Sequence, residues 1–194
     1  KTKLTPIQTK ALNKIKKKAK EDSEKYKILL RNKLALEYGM ITGIYMETES
    51  EKDGLLKSFL HYIRKSPTLA VHFNKKFMNI LFESGRFKTV FETRRRKGAK
   101  DKVYMKNRTN LEEEVLYYPK NTNPIERPKY GCFNIIKDKK GCAIFYGDYW
   151  LRLHNNKEIM NRVTFTPGDS LNDYIIGKYK KNFIGTINHM NHVL

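Results

Sequence analysis

Four compact clusters carry the residue types that do chemistry. They are Val71-His72-Phe73, Phe91-Glu92-Thr93, Glu126-Arg127-Pro128-Lys129-Tyr130-Gly131 and Thr164-Phe165-Thr166-Pro167-Gly168-Asp169-Ser170. Each falls at a predicted strand end or in the adjoining loop, where sites are commonly assembled. A fifth feature is the basic run Arg94-Arg95-Arg96-Lys97, a set of cations suited to holding a polyanion. None of these matches a phosphate-binding loop, a dinucleotide fingerprint, a zinc-protease helix or a serine-hydrolase elbow. His72, His154, His189 and His192 are too scattered to read as a metal-ligand spacing. Each cluster also has a plainer reading. Glu126-Arg127 also reads as a structural ion pair, His72 as a core histidine, Phe91 as core, and Asp169-Ser170 as turn chemistry. The arginine run reads equally as a solvated loop.

The chain that must position them has 194 residues, with 40 Lys and Arg against 20 Asp and Glu, a formal charge of +20. That length suits one domain, or one domain with a helical extension. Hydrophobic residues make up 39% and aromatics 12%, too many for a disordered basic tail. No apolar run approaches the roughly 18 residues that span a bilayer, so no membrane role is expected. Cys132 and Cys142 are too few for a disulfide scaffold or a four-cysteine zinc site. With so few thiols, a reducing, cytoplasmic compartment is the default expectation.

The charge is uneven. Residues 1 to 40 hold 12 basic and 4 acidic side chains, and residues 86 to 108 hold 10 basic side chains against Glu92 and Asp101. Nucleic acid is the partner such a surplus most often implies, because each neutralised phosphate releases condensed counterions. A lysine-rich composition is the alternative source of the same charge.

Thr5-Pro6 predicts a helix start, with Ile7, Ala11, Leu12, Ile15 and Ala19 following at helical spacing. A second helix is expected over 23–38 and a third over 51–64, ended by Ser66-Pro67. Beyond Pro67 the pattern changes to strands over 68–73, 87–91, 130–136, 142–146, 149–153 and 163–165, with a short helix over 74–82. Residues 94–108 read as an exposed basic loop, and 110–118 as a helix. The expected architecture is α+β, with helices over 1–66 followed by a mainly antiparallel β region over 67–194.

The order Val71-His72-Phe73, Gly85-Arg86-Phe87, Phe91-Glu92-Thr93, Glu126 to Gly131, Leu151-Arg152-Leu153 and Thr164 to Ser170 resembles a bacterial family of unknown function. Members of that family resemble ADP-ribosyltransferases, including effectors that modify a threonine of ubiquitin. The resemblance covers residues 67 to 172, plus the Leu4-Thr5-Pro6 opening. It implies an ADP-ribosyltransferase-like fold and NAD⁺ as substrate. On this reading Glu126, Glu92 and Asp169 are the candidate catalytic carboxylates. Arg86 and Arg127 would hold the pyrophosphate, Phe91 and Tyr130 would stack, and His72 and Ser170 would complete the dinucleotide site.

Two departures from the family pattern matter. Asn74-Lys75-Lys76-Phe77 replaces a His-Pro-Asp-Arg run, and Arg94-Arg95-Arg96-Lys97-Gly98 replaces a Gly-Thr-Ser-Asn-Gly stretch. Many ADP-ribosyltransferases place the decisive Glu on a late strand, whereas the last Glu here is Glu158: an earlier carboxylate serves, which is the preferred expectation, or the late strand lies beyond Leu194, or the chain is not this enzyme. The basic substitution favours a nucleic-acid acceptor, with single-stranded RNA preferred and Arg94, Arg95, Arg96 and Lys97 as its contacts. The alternatives are transfer to a protein hydroxyl such as that of ubiquitin, and a non-enzymatic basic RNA-binding module. By extension from the family the protein is a toxin or effector, or part of phage defence, with a neutralising partner. It would act in the producing cell or in a target cell.

Overall fold

A computed structural model describes residues 3–65, 68–93, 102–154, 156–177 and 184–194. The cluster Arg94 to Lys97 and the expected boundary at Ser66-Pro67 lie outside the described residues. The first helix, α1, runs over Pro6–Thr42. Its start is a reciprocal cap: the Gln8 N–H donates to Thr5 Oγ1 at 3.3 Å, and the Thr5 N–H donates to Gln8 Oε1 at 3.1 Å. Such a box satisfies donors that a helix end leaves bare. Ala11, Leu12, Ile15 and Ala19 are buried along one face. The break expected between two N-terminal helices is absent, because nothing between Lys20 and Tyr38 interrupts the backbone ladder. The helix instead ends at Gly43, in the left-handed region at φ 73°.

The next helix, α2, covers Glu49–Lys65. Thr48 and Glu51 repeat the capping box at its start, with Glu51 Oε2 accepting from the Thr48 N–H at 2.8 Å. Arg31 of α1 ties the pair together through Glu49 and Asp53. Leu56 and Ile63 face inward. Among the described residues no helix is long and apolar enough to cross a membrane.

Strand β1, Leu69–Phe73, is buried along its whole length and lies between two antiparallel partners. These are β2, Cys132–Phe133, and β3, Tyr149–Arg152. In register, Ala70 faces Cys132 on one side, while Val71 faces Leu151 and His72 faces Trp150 on the other. A second small sheet pairs β4, Thr164–Phe165, with β5, Gly185–Thr186. Helices α3 (Lys75–Ser84), α4 (Val90–Thr93), α5 (Lys102–Glu114), α6 (Lys157–Met160) and α7 (Ser170–Ile175) complete the chain. The fold is α+β with small antiparallel sheets. Ile63, Leu69, Met160, Phe165, Ile187, Met190 and Val193 form one core between α2 and both sheets.

Four further sequence expectations need correction. The strand expected over 87–91 is instead the entry to α4, because Thr89 and Glu92 form a capping box: the Glu92 N–H donates to Thr89 Oγ1, and Glu92 Oε2 accepts from the Thr89 N–H. The basic loop expected through residue 108 is helical from Lys102. The strand over 130–136 is cut to two residues by Asn134, whose side-chain amide closes a turn onto Asp138 at 2.7 and 2.9 Å. The strand over 142–146 is a 3-10 turn, Ile144–Tyr146.

Cys132 and Cys142 are joined in a disulfide. The thiols therefore lend no support to a reducing compartment. The bond closes a loop of 10 residues, which on chain-entropy grounds stabilises by about 2–3 kcal/mol. Cys142→Ser should lose about that much in urea unfolding, and a reductant should bring the wild type to the same midpoint. Equal stability of oxidised wild type and variant would refute the linkage.

Candidate functional site

The polar centre lies where α4, α5, α7 and the 115–131 segment meet. Its deepest element is an ion pair. Glu112 of α5 is fully buried, and Arg127 Nη1 donates to Glu112 Oε2 at 2.6 Å, with side-chain exposures of 5% and 0%. Arg127 also donates from Nε to the Thr122 carbonyl at 3.2 Å and from Nη2 to the Lys120 carbonyl at 2.5 Å. Its guanidinium lies 4.1 Å over the ring of Phe91, a cation–π contact. The other Glu112 oxygen accepts from the Tyr130 hydroxyl at 3.1 Å. Burial is the largest influence on the Glu112 carboxyl and pushes it up, against the pull of Arg127, Tyr130 and Arg108.

A second guanidinium completes the centre. Arg108, one helical turn before Glu112, sits 4.0 Å over the Tyr130 ring and donates from Nη2 to the Tyr104 hydroxyl at 3.2 Å. The residue is 7% exposed, and its Nε and Nη1 have no hydrogen-bond partner. A buried guanidinium with bare donors is suited to receive an anion. Burial pushes the Tyr130 hydroxyl well above its usual value, with Glu112 adding to the rise and Arg108 opposing it. Burial likewise pushes Tyr118 up to about 12, helped by Glu112 and Glu126.

The candidate residues from the sequence divide around this centre. Glu92 accepts from Arg86 Nη2 at 2.5 Å and from the Thr89 N–H at 2.8 Å. Thr89 in turn donates to the Pro124 carbonyl at 3.0 Å, which anchors α4 to the 115–131 segment. Burial alone would raise the Glu92 carboxyl, but the Arg86 guanidinium and the Thr89 N–H hold it below its usual range. Arg86 keeps a buried Nη1 without a partner. Asp169 caps α7 by accepting from the N–H groups of Leu171 and Asn172, each at 3.1 Å, and accepts from the Tyr146 hydroxyl. Burial opposes its ionisation; Tyr146, the two N–H groups and Arg108 overcome it and lower its pKa. Ser170 is the first residue of α7.

Glu126 is half-buried. Its carbonyl accepts from Gln8 Nε2 at 2.9 Å. Among the described residues no hydrogen bond or ion pair reaches its carboxylate. Phe91, Arg127 and Tyr130 are thus brought together around Glu112, with Glu126 next to Arg127 in the chain, Arg86–Glu92 attached through α4 and Asp169 through Arg108. His72 belongs to the sheet. Its Nδ1 donates to the Gly147 carbonyl at 3.0 Å and its Nε2 accepts from the Ala143 N–H at 3.2 Å, the tautomer those partners assign. The ring lies alongside Trp150 and near the disulfide sulfurs. With both nitrogens taken, it has none left for a ribose hydroxyl. Arg127 is likewise committed to internal partners, which is the structural reading of Glu126-Arg127 with Glu112 in place of Glu126.

Sequence reasoning missed Tyr104, Arg108 and Glu112. The signal was present: three residues at i, i+4 and i+8 on one helix face. It was hidden because Arg108 was counted into a basic loop.

A family model described as "Protein of unknown function (DUF3626)" matches residues 60–194. No curated protein matches the chain.

Arg127→Met strands the Glu112 charge in the interior and should cost about 3–5 kcal/mol in urea unfolding. Adding Glu112→Gln should recover part of that loss; a double variant as unstable as the sum of the singles would refute the pairing. Glu92 and Asp169 have lowered pKa values, so each contributes stability above its unfolded pKa of about 4 and loses it as pH falls further. The urea midpoint should therefore drop steeply below about pH 4, and less so in Glu92→Gln. Parallel pH profiles for the two proteins would count against the Glu92 assignment.

Proposed function

The chain belongs to the DUF3626 family, and we propose that it is an ADP-ribosyltransferase that moves ADP-ribose from NAD⁺ to a nucleic acid, preferably single-stranded RNA. The observation that supports this reading is a carboxylate without a hydrogen-bond or ion-pair partner among the described residues, Glu126, next in the chain to the buried Arg127, together with two guanidinium groups of the polar centre that keep bare donors, Arg108 and Arg86. Motif resemblance across residues 67 to 172 supports it, and so does the +20 charge. The fold expected on this reading is of the ADP-ribosyltransferase type.

The chemistry needs three things. Cleavage of the nicotinamide–ribose bond builds an oxocarbenium-like centre at the ribose anomeric carbon. The bonding pair leaves with nicotinamide, and an acceptor oxygen or nitrogen forms the new bond to that carbon. Glu126 stabilises the developing positive charge and takes the acceptor's proton. Glu92 and Asp169 are less suited, because their oxygens already serve Arg86 and Thr89 in one case and the α7 cap and Tyr146 in the other. The pyrophosphate falls to Arg108 and Arg86 rather than to Arg127. Phe91, with Arg127 on one face, offers the other for stacking on nicotinamide or adenine.

The test is incubation of the full chain with NAD⁺ labelled in the adenylate part, together with RNA, DNA and protein pools. Label on RNA and release of nicotinamide are expected. Glu126→Ala should lower the labelling rate about 10²–10³-fold, with stability within about 0.5 kcal/mol of wild type because the side chain makes no bond that folding needs. Label on a protein band would reassign the acceptor. Steep salt-dependent RNA binding without nicotinamide release would discard the enzyme in favour of a binding module.

A further inference from the structure

A hollow of about 390 Å³ opens between α1 and the C-terminal segment. Lys16, Lys17 and Lys20 enter it from α1, Asn161 from the end of α6, and Asn188 and His189 from the turn after β5. Arg64, in the last turn of α2, donates to the carbonyls of Ile187 and Asn188 at 2.9 and 3.0 Å, and so adds a fourth cation at the edge. Among the described residues none of these four cations takes part in an ion pair, although Lys18, on the neighbouring face of α1, pairs with Asp22. Two stretches distant in sequence, α1 and the end of α2, thus bring positive charge without ion-pair partners among the described residues to one concave surface. The field is felt at His189, whose imidazole is lowered by burial and then by Lys20 and Arg64, with Glu24 opposing.

Like charges held at one rim repel, and a polyanion relieves that repulsion while releasing its own counterions. The lining contains no Phe, Tyr or Trp, so beyond the His189 imidazole nothing there stacks on a base. Contacts from lysine and amide side chains fall on phosphate and sugar, which position a strand without reading its sequence. We infer that this hollow is a docking site for the phosphodiester backbone of a single nucleic-acid strand. The choice of a strand as occupant deepens the transferase reading above and rests on it. The hollow would hold the acceptor away from the Glu126 side chain, in addition to any contact made by Arg94 to Lys97.

The test is fluorescence anisotropy of the full chain with a labelled single-stranded RNA of about 16 nucleotides, the upper site size of single-strand binders, without NAD⁺ and across a salt series. Each phosphate contact on a single strand contributes about 0.7 to the slope of log K against log salt. Lys16→Gln/Lys17→Gln/Lys20→Gln should therefore flatten the slope by about 2. A DNA strand of the same sequence should behave alike. The control Lys25→Gln/Lys139→Gln/Lys140→Gln removes the same charge from exposed positions elsewhere and should leave the slope unchanged. Equal effects of the two triples would mean diffuse charge and overturn the proposal. So would an unaltered slope in the first triple, or tighter binding of the matching duplex than of the strand. Nicotinamide release from NAD⁺ without nucleic acid is measured alongside. It should survive the Lys16/Lys17/Lys20 change, so loss of docking and failure of the transferase reading give different results.

Discussion

The buried pair between Arg127 and Glu112 is the constraint on which this molecule's polar centre depends. Both charges are almost fully removed from water, and such a pair persists only when the remaining hydrogen-bonding capacity is met. Here it is met by backbone carbonyls of Thr122 and Lys120 and by the Tyr130 hydroxyl. Those partners all come from the long segment that follows α5, the helix that carries Glu112. The segment has almost no regular structure of its own, so the pair supplies the register that a ladder of strand hydrogen bonds would otherwise supply. Phe91 under the guanidinium extends the same constraint to α4.

Around that pair the acidic side chains are largely consumed. Glu112 holds Arg127, Glu92 holds Arg86, and Asp169 holds a helix start and a tyrosine. Spending carboxylates internally on a chain with twice as many cations as anions leaves two kinds of unmatched positive charge. One is buried, at Arg108; the other is open, at Lys16, Lys17 and Lys20. The first suits a small anion in a defined pose. The second suits a long one in a loose pose.

One helix serves both. The Gln8 amide closes the cap of α1 with its oxygen and holds the Glu126 carbonyl with its nitrogen. Two turns later the same helix presents three lysines to the C-terminal hollow. Asn191 bonds Ser23 further along α1, so the chain's last residues are anchored to its first helix. The matched family region, 60–194, thus leans on a helix that lies outside it.

Composition and spacing by themselves determined the α+β class, the start of α1, the positions of α2, β1, α3 and β3, and the surplus of positive charge. These are local or additive properties: a cap, a period, a count. The same reasoning placed Glu126, Arg127 and Tyr130 in one block and Phe91 and Glu92 in another. What tertiary structure decided is which of these side chains are spent. Arg127 and His72 look available in a sequence, yet partners at residues 112, 120 and 122 for one and 143 and 147 for the other take up their polar atoms. Strands over 87–91 and 142–146 failed because a Thr89–Glu92 cap and a turn beside Gly147 outweighed apolar content. Arg108 gained its importance only because Tyr130, 22 positions away in the chain, lies against it. Burial and partner choice are properties of contacts between distant segments, and no window along a chain contains them.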